Sequence, residues 1–162
     1  MKSFYSQILS RANWQCDDTS LSVLQKDWLM HQGSLTVKLQ QHYKEVSVQV
    51  ISQQWFAKNE KNLTAYWQRD VLLLGDDKEI IFAQTQIPQI TVENVAQDLL
   101  TLGNESIGLW LFPQKPQRLN LEWTQDPQTG LYARHSTLVL DNYPLKIKEL
   151  FLENFSFPEN PK

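Results

Sequence analysis

The feature that most narrows the fold is a pair of extended runs, 66–74 and 79–87, around the turn Gly75-Asp76-Asp77-Lys78. Apolar, strand-favouring segments on either side of a Gly-Asp turn form a β-hairpin, and Pro88 closes the second run. Alternation at 46–51 and runs at 119–124, 131–140 and 145–152 extend the pattern. Turn-forming residues at 125–130 and 141–144 join the last three, and a short extended piece is expected at 109–112. Sequential strands with short turns pair antiparallel. Helices are expected within the first 43 residues, one capped at 18–20 and stopped at Gly33, the next capped by Ser34, forming a hairpin that packs on the sheet or acts as a lid. A further helix is expected over 91–102, from Thr91 as cap to Gly103 as stop. The fold class is α+β: one antiparallel sheet with helices packed on one face or edge, a single domain over 1–162 with a loose tail after about 155.

Charge narrows the function. With 15 Lys+Arg against 18 Asp+Glu, the chain lacks the basic surplus of a nucleic-acid binder. Arg11, Arg69, Arg118 and Arg134 are the only arginines. One cysteine, Cys16, excludes an internal disulfide, and its neighbours Asp17 and Asp18 disfavour a thiolate. No apolar run reaches the ~20 residues of a membrane span, and the first seven residues lack the apolar core of a signal peptide. The expectation is a cytoplasmic monomer. Phosphate loops and nucleophile elbows are missing, and His31, His42 and His135 have no metal-ligand spacing. No metal and no cofactor are expected. The six tryptophans read as core or cavity wall.

Two charges break the strand pattern. Leu145, Ile147, Glu149 and Phe151 share one face by period-two alternation, so Glu149 occupies an apolar position. Trp67, Arg69, Val71 and Leu73 share another, and Arg69 is out of place in the same way. A charge withdrawn from water costs several kcal/mol unless paired. Three readings fit: an ion pair between the two, a solvated sheet end, or a cavity where both meet a ligand. An arginine fork suits a carboxylate, and a carboxyl group beside it suits a hydroxyl or a proton transfer.

These residues carry a resemblance. Tyr66-Trp67-Gln68-Arg69 resembles the Tyr-Trp-x-Arg strand of the chorismate pyruvate-lyase family. The segment Leu102-Gly103-Asn104-Glu105-Ser106-Ile107-Gly108, with Leu111-Phe112, is similar to its Leu-Gly-x-x-x-Leu-Gly-x-x-Leu-Phe segment. Lys148-Glu149-Leu150-Phe151-Leu152 resembles its closing Thr-Glu-Leu-Phe-Leu strand. Weaker matches at Asp27-Trp28-Leu29 and Gly33-Ser34-Leu35-Thr36 extend the likeness from 28 to 152. The resemblance implies an enclosed aromatic-acid cavity under helical flaps. Arg69 matches the arginine that binds the ring carboxylate, and Glu149 the acid at the 4-hydroxyl end. Leu35 and Ile107 match pocket positions that contact the carboxylate through backbone groups, although Met and Leu are the expected residues there. Gln84 stands where the family has an arginine, which leaves Lys38, Lys44 or Arg134 as candidates for a second carboxylate contact.

The implied activity is conversion of chorismate to 4-hydroxybenzoate and pyruvate, the first step of ubiquinone synthesis, with chorismate and 4-hydroxybenzoate as the small-molecule partners. Aromatisation of the ring supplies the drive, so the site needs only to hold a dianion in a reactive conformation and exclude water. Two non-catalytic alternatives share the fold: an aromatic-acid sensor domain, normally attached to a DNA-binding domain, and an idle carrier of 4-hydroxybenzoate.

Overall fold

The computed structural model describes residues 2–161. Three helices open the chain: α1 (Lys2–Ser10), α2 (Val23–Leu29) and α3 (Leu35–Gln40). Strands β1 (Val46–Phe56), β2 (Tyr66–Gly75) and β3 (Lys78–Pro88) follow. Next come α4 (Gln89–Val95), a 3-10 turn at Gln97–Thr101, α5 (Ile107–Leu111) and a second 3-10 turn at Phe112–Gln114. The chain finishes with β4 (Gln117–Gln125), β5 (Tyr132–Leu140) and β6 (Tyr143–Phe151). All six strands form one antiparallel sheet in the order β1-β2-β3-β6-β5-β4, so α+β with a single antiparallel sheet is the architecture.

Turn chemistry sets the register. Asp76 and Asp77 take φ of 49° and 68° between β2 and β3, and Asp141 and Asn142 take 50° and 72° between β5 and β6. Two successive left-handed residues make the tight turn whose twist suits a hairpin, and Asp and Asn tolerate that conformation better than other non-glycine residues. With register fixed, one row across the sheet reads Val71, Ala83, Glu149, Arg134, and the next reads Arg69, Thr85, Ile147, Ser136. Both rows share a face, because their members lie two residues apart along each strand. On the opposite face Leu72, Phe82, Leu150 and Ala133 form a buried row.

Helices cover both faces rather than one. Ile8 and Leu9 of α1 pack on the Leu72–Phe82–Leu150 row. Trp28, Leu29, Leu35 and Leu39 of α2 and α3 pack against Val71, Leu73 and Phe151 on the other side. Val92, Leu99 and Leu111 close the far end of that face against Leu138, Leu145 and Ile147.

Several local expectations change. Ser22, not residues 18–20, caps α2, in a reciprocal capping box with Gln25. The preceding residues are used in a turn in which Asp17 accepts from the Thr19 N–H. The helix expected over 91–102 starts earlier, after Pro88, and stops at Ala96; the Gln97–Thr101 segment then tightens to three residues per turn, burying Ala96 and Leu99 together. Thr91 is no cap: its hydroxyl donates to the Pro144 carbonyl at 2.6 Å and ties α4 to β6. The piece expected to be extended at 109–112 is helical, started by Ser106, whose hydroxyl accepts from the Gly108 N–H. The tail is pinned rather than loose. The Trp28 indole donates to the Pro158 carbonyl at 2.8 Å, His42 Nε2 lies 2.9 Å from the Glu159 carbonyl, and Phe155 and Phe157 join an aromatic cluster with Phe151.

Candidate active site

A cavity lies between the sheet and the α3 and α5 flaps. Val71, Ala83, Thr85, Ile147 and Glu149 form the sheet side, and Leu35, Thr36, Ser106 and Ile107 form the flap side. All four site residues expected from sequence, Leu35, Arg69, Ile107 and Glu149, line it.

Strand phase explains the charged residues. Arg69 and Glu149 sit in otherwise apolar rows of the covered face, at 2% and 8% exposure, so neither is at a solvated sheet end. They are not each other's ion-pair partner. Arg69 donates from Nη1 to the Gln53 side chain at 3.3 Å and from Nη2 to the Glu105 carbonyl at 2.6 Å. Burial lowers its pKa. Glu149 pairs with Arg134, its direct cross-strand neighbour, through Nε to Oε1 at 2.8 Å. A buried pair of this kind is strongly destabilised when one member is removed, because the other is left as an unpaired charge.

Arg118 is the cavity residue that the sequence reading leaves without a role. It reaches the lining from β4, where it donates to the Ser136 hydroxyl and, at 3.0 Å, to the Gln32 carbonyl. Burial, then the charge of Arg134, pull its pKa down to about 10, with Glu149 opposing, so it stays cationic at neutral pH. Its phase is hidden in the sequence. A bulge between Arg118 and Asn120 shifts the register by one residue and brings Arg118 opposite Leu138, in the cavity phase. Arg134 carries a readable signal, since it alternates in step with the buried Leu138 and Leu140.

The cavity therefore holds three guanidinium groups and one carboxylate, a surplus of two positive charges in a site walled mostly by apolar groups. Such a site favours a small dianion with an apolar body. The other proposed cations are elsewhere. Lys38 pairs with Asp27 at 2.9 Å and bonds Asn160, and Lys44 is exposed. Gln84 faces away from the cavity, donating to Ser6 beneath α1, so the arginine missing at this position takes nothing from the cavity lining.

Each arginine also grips a flap carbonyl: Arg69 that of Glu105 before α5, Arg134 that of His31 at 2.8 Å, and Arg118 that of Gln32. The two flaps meet through the Thr36 and Ser106 hydroxyls, 2.6 Å apart. Gly108 permits this approach, because a Cβ there would lie 3.0 Å from the Ser34 hydroxyl. Leu35 and Ile107 are the first residues of α3 and α5, each following a serine cap. Their N–H groups have no partner inside their helices. Among the described residues no cluster of His, Cys, Asp and Glu could hold a metal, and no helix is long and apolar enough to cross a membrane.

Comparison with known proteins agrees with this architecture. A family model described as "Chorismate lyase" matches residues 8–159. Chorismate pyruvate-lyase of Pectobacterium atrosepticum is 36% identical over 143 residues, covering 83% of this chain and 77% of the relative. That of Hamiltonella defensa is 30% identical over 162 residues, covering 94% and 91%. Among solved structures, the ligand-binding domain of a GntR-family transcriptional regulator from Bordetella bronchiseptica is similar in fold, with TM-score 0.50 at 9% identity, covering 73% of this chain and 90% of that one. With a family model spanning nearly its whole length and relatives of matching extent, this chain belongs to the chorismate lyase family.

Proposed function

We propose that this protein converts chorismate to 4-hydroxybenzoate and pyruvate, and that the arginine-lined cavity is where it does so. The observation that carries the reading is the enclosed surplus of two positive charges around one carboxylate, which suits chorismate, a small ring bearing two carboxylates and a hydroxyl. Arg69 takes the ring carboxylate, helped by the N–H groups of Leu35 and Ile107. Glu149 meets the 4-hydroxyl across the ring, held in place by Arg134.

The reaction balances within the substrate. The C4–H bond breaks and its electrons form the ring double bond. The bond between C3 and the ether oxygen breaks, its electrons leaving with that oxygen. The C4 proton ends on the methylene carbon of the released enolpyruvate, giving pyruvate. What the protein contributes is a fixed conformation, neutralised carboxylates and exclusion of water. Glu149 orients the hydroxyl and is suitably sited to help move the C4 proton. The reading takes the enzyme as a cytoplasmic monomer.

The fold also serves as a regulator's ligand-binding domain, so turnover is the deciding test. Incubation with chorismate and no added metal is expected to release pyruvate and 4-hydroxybenzoate in equal amounts. Binding without release would favour a sensor or carrier and would contradict the lyase reading.

A further inference from the structure

The proposed orientation leaves one group of the substrate without a partner. Chorismate carries its enolpyruvyl ether on C3, the ring carbon next to the hydroxyl-bearing C4. With the ring carboxylate at Arg69 and the hydroxyl at Glu149, the enolpyruvyl carboxylate lies beside Glu149, away from Arg69. The sheet order puts β2, with Arg69, at one side of the cavity, then β3, then β6 with Glu149. Beyond Glu149 come β5 and β4, carrying Arg134 and Arg118.

These two arginines are not equivalent. Arg134 is committed, with Nε on the Glu149 carboxylate and Nη1 on the His31 carbonyl. Among the described residues Arg118 bonds only neutral oxygens, the Ser136 hydroxyl and the Gln32 carbonyl, and its Nε is buried without a hydrogen-bond partner. A buried N–H without a partner is costly, and a carboxylate is the group an arginine fork best matches. Resting on the lyase reading, we infer that Arg118 is the specificity residue that binds the enolpyruvyl carboxylate, with the Ser136 hydroxyl beside it.

The assignment separates substrate from product. Chorismate engages Arg69 and Arg118, whereas 4-hydroxybenzoate has one carboxylate and engages Arg69 alone. Arg118 thus favours the incoming dianion over the retained product, and pyruvate departs from its side of the cavity.

The test compares Arg118→Gln and Arg118→Lys with the wild-type protein, measuring KM and kcat for chorismate and, by tryptophan fluorescence titration, Kd for 4-hydroxybenzoate. Arg118→Gln is expected to raise KM by about tenfold to a hundredfold, the range of a lost charge-assisted bond. Its Kd for 4-hydroxybenzoate is expected to stay within about twofold of wild type, and Arg118→Lys to recover part of the KM. An unchanged KM, or a Kd that rises in parallel with it, would overturn the assignment. If Arg118→Gln does not fold, the same comparison is made with Arg118→Lys, in which a raised KM with unchanged product Kd supports the assignment and parallel losses overturn it. Failure of the wild-type protein to turn over chorismate would instead sink the lyase reading. Binding constants for chorismate and 4-hydroxybenzoate would then decide Arg118 by the same ratio.

Discussion

At the scale of single residues, two bonds from one guanidinium group hold the Arg69 end of the cavity together. Among the described residues Arg69 has no carboxylate partner; its fork rests on the Gln53 amide and the Glu105 carbonyl. A ligand carboxylate would supply the missing counter-charge. Arg69→Gln is expected to weaken 4-hydroxybenzoate by about tenfold to a hundredfold and to depress chorismate turnover by orders of magnitude, read by titration and by pyruvate release. Glu149→Gln keeps the shape but removes the charge facing Arg134; turnover should fall by a factor of about a hundred or more while product binding changes far less. Equal losses of binding and turnover would mean that Glu149 only holds the cavity in shape. Arg69 and Glu149 were legible in the sequence because a charge in an apolar strand phase is conspicuous where charges are few. Arg118 was not, because the bulge beside it reverses the phase that alternation assigns, and a bulge leaves no mark in residue order. Position 84 shows the same rule from the other side: strand phase turns it away from the cavity, whatever residue it carries.

At the scale of elements, closure depends on two short helices that are too short to be stable alone. Serine caps start both, and Thr36 and Ser106 join them at 2.6 Å. The strands and the hairpin turns were readable from alternation and turn residues. The run at 109–112 was not, since a short apolar stretch fits strand or helix equally and only the Ser106 cap decides it. Removing the inter-flap bond should loosen the lid more than the fold. Thr36→Val removes that bond while leaving both serine caps in place, and is expected to raise the release rate of 4-hydroxybenzoate by about twofold to tenfold, matching a bond worth ~0.5–1.5 kcal/mol. Stopped-flow displacement measures this, and an unchanged release rate would show that the flaps do not gate the cavity. Gly108→Ala pushes a methyl group toward the Ser34 hydroxyl at the same junction and should act in the same direction.

At the scale of the molecule, stability depends on ties far from the cavity. Proline-rich composition suggested a loose tail, yet Phe155 and Phe157 anchor it and its carbonyls serve Trp28 and His42. Deleting residues 158–162 strips the acceptor from a fully buried indole, at about 1–3 kcal/mol. Melting should therefore occur about 2–10 °C lower, measured by calorimetry. Acid should act in two stages. Burial, then Lys148 and Lys146, lower the His135 pKa from 6.5 to about 4. The unfolded chain then binds the extra proton first, and stability present above pH 6.5 is lost as pH falls toward 4. The hydrogen bond from Arg11, with those from Thr129, holds Asp126 at about 2 against 3.8, so its contribution is present above pH 3.8 and lost as pH falls toward 2. Urea titrations should show the first slope abolished in His135→Phe and the second in Asp126→Asn. The account as a whole rests on how the aromatic ring sits between Arg69 and Glu149. A crystal structure of the complex with 4-hydroxybenzoate tests this directly. The account predicts the carboxylate within hydrogen-bond reach of Arg69 and the hydroxyl within reach of Glu149. A ring bound in the reverse orientation, or outside this cavity, would contradict it.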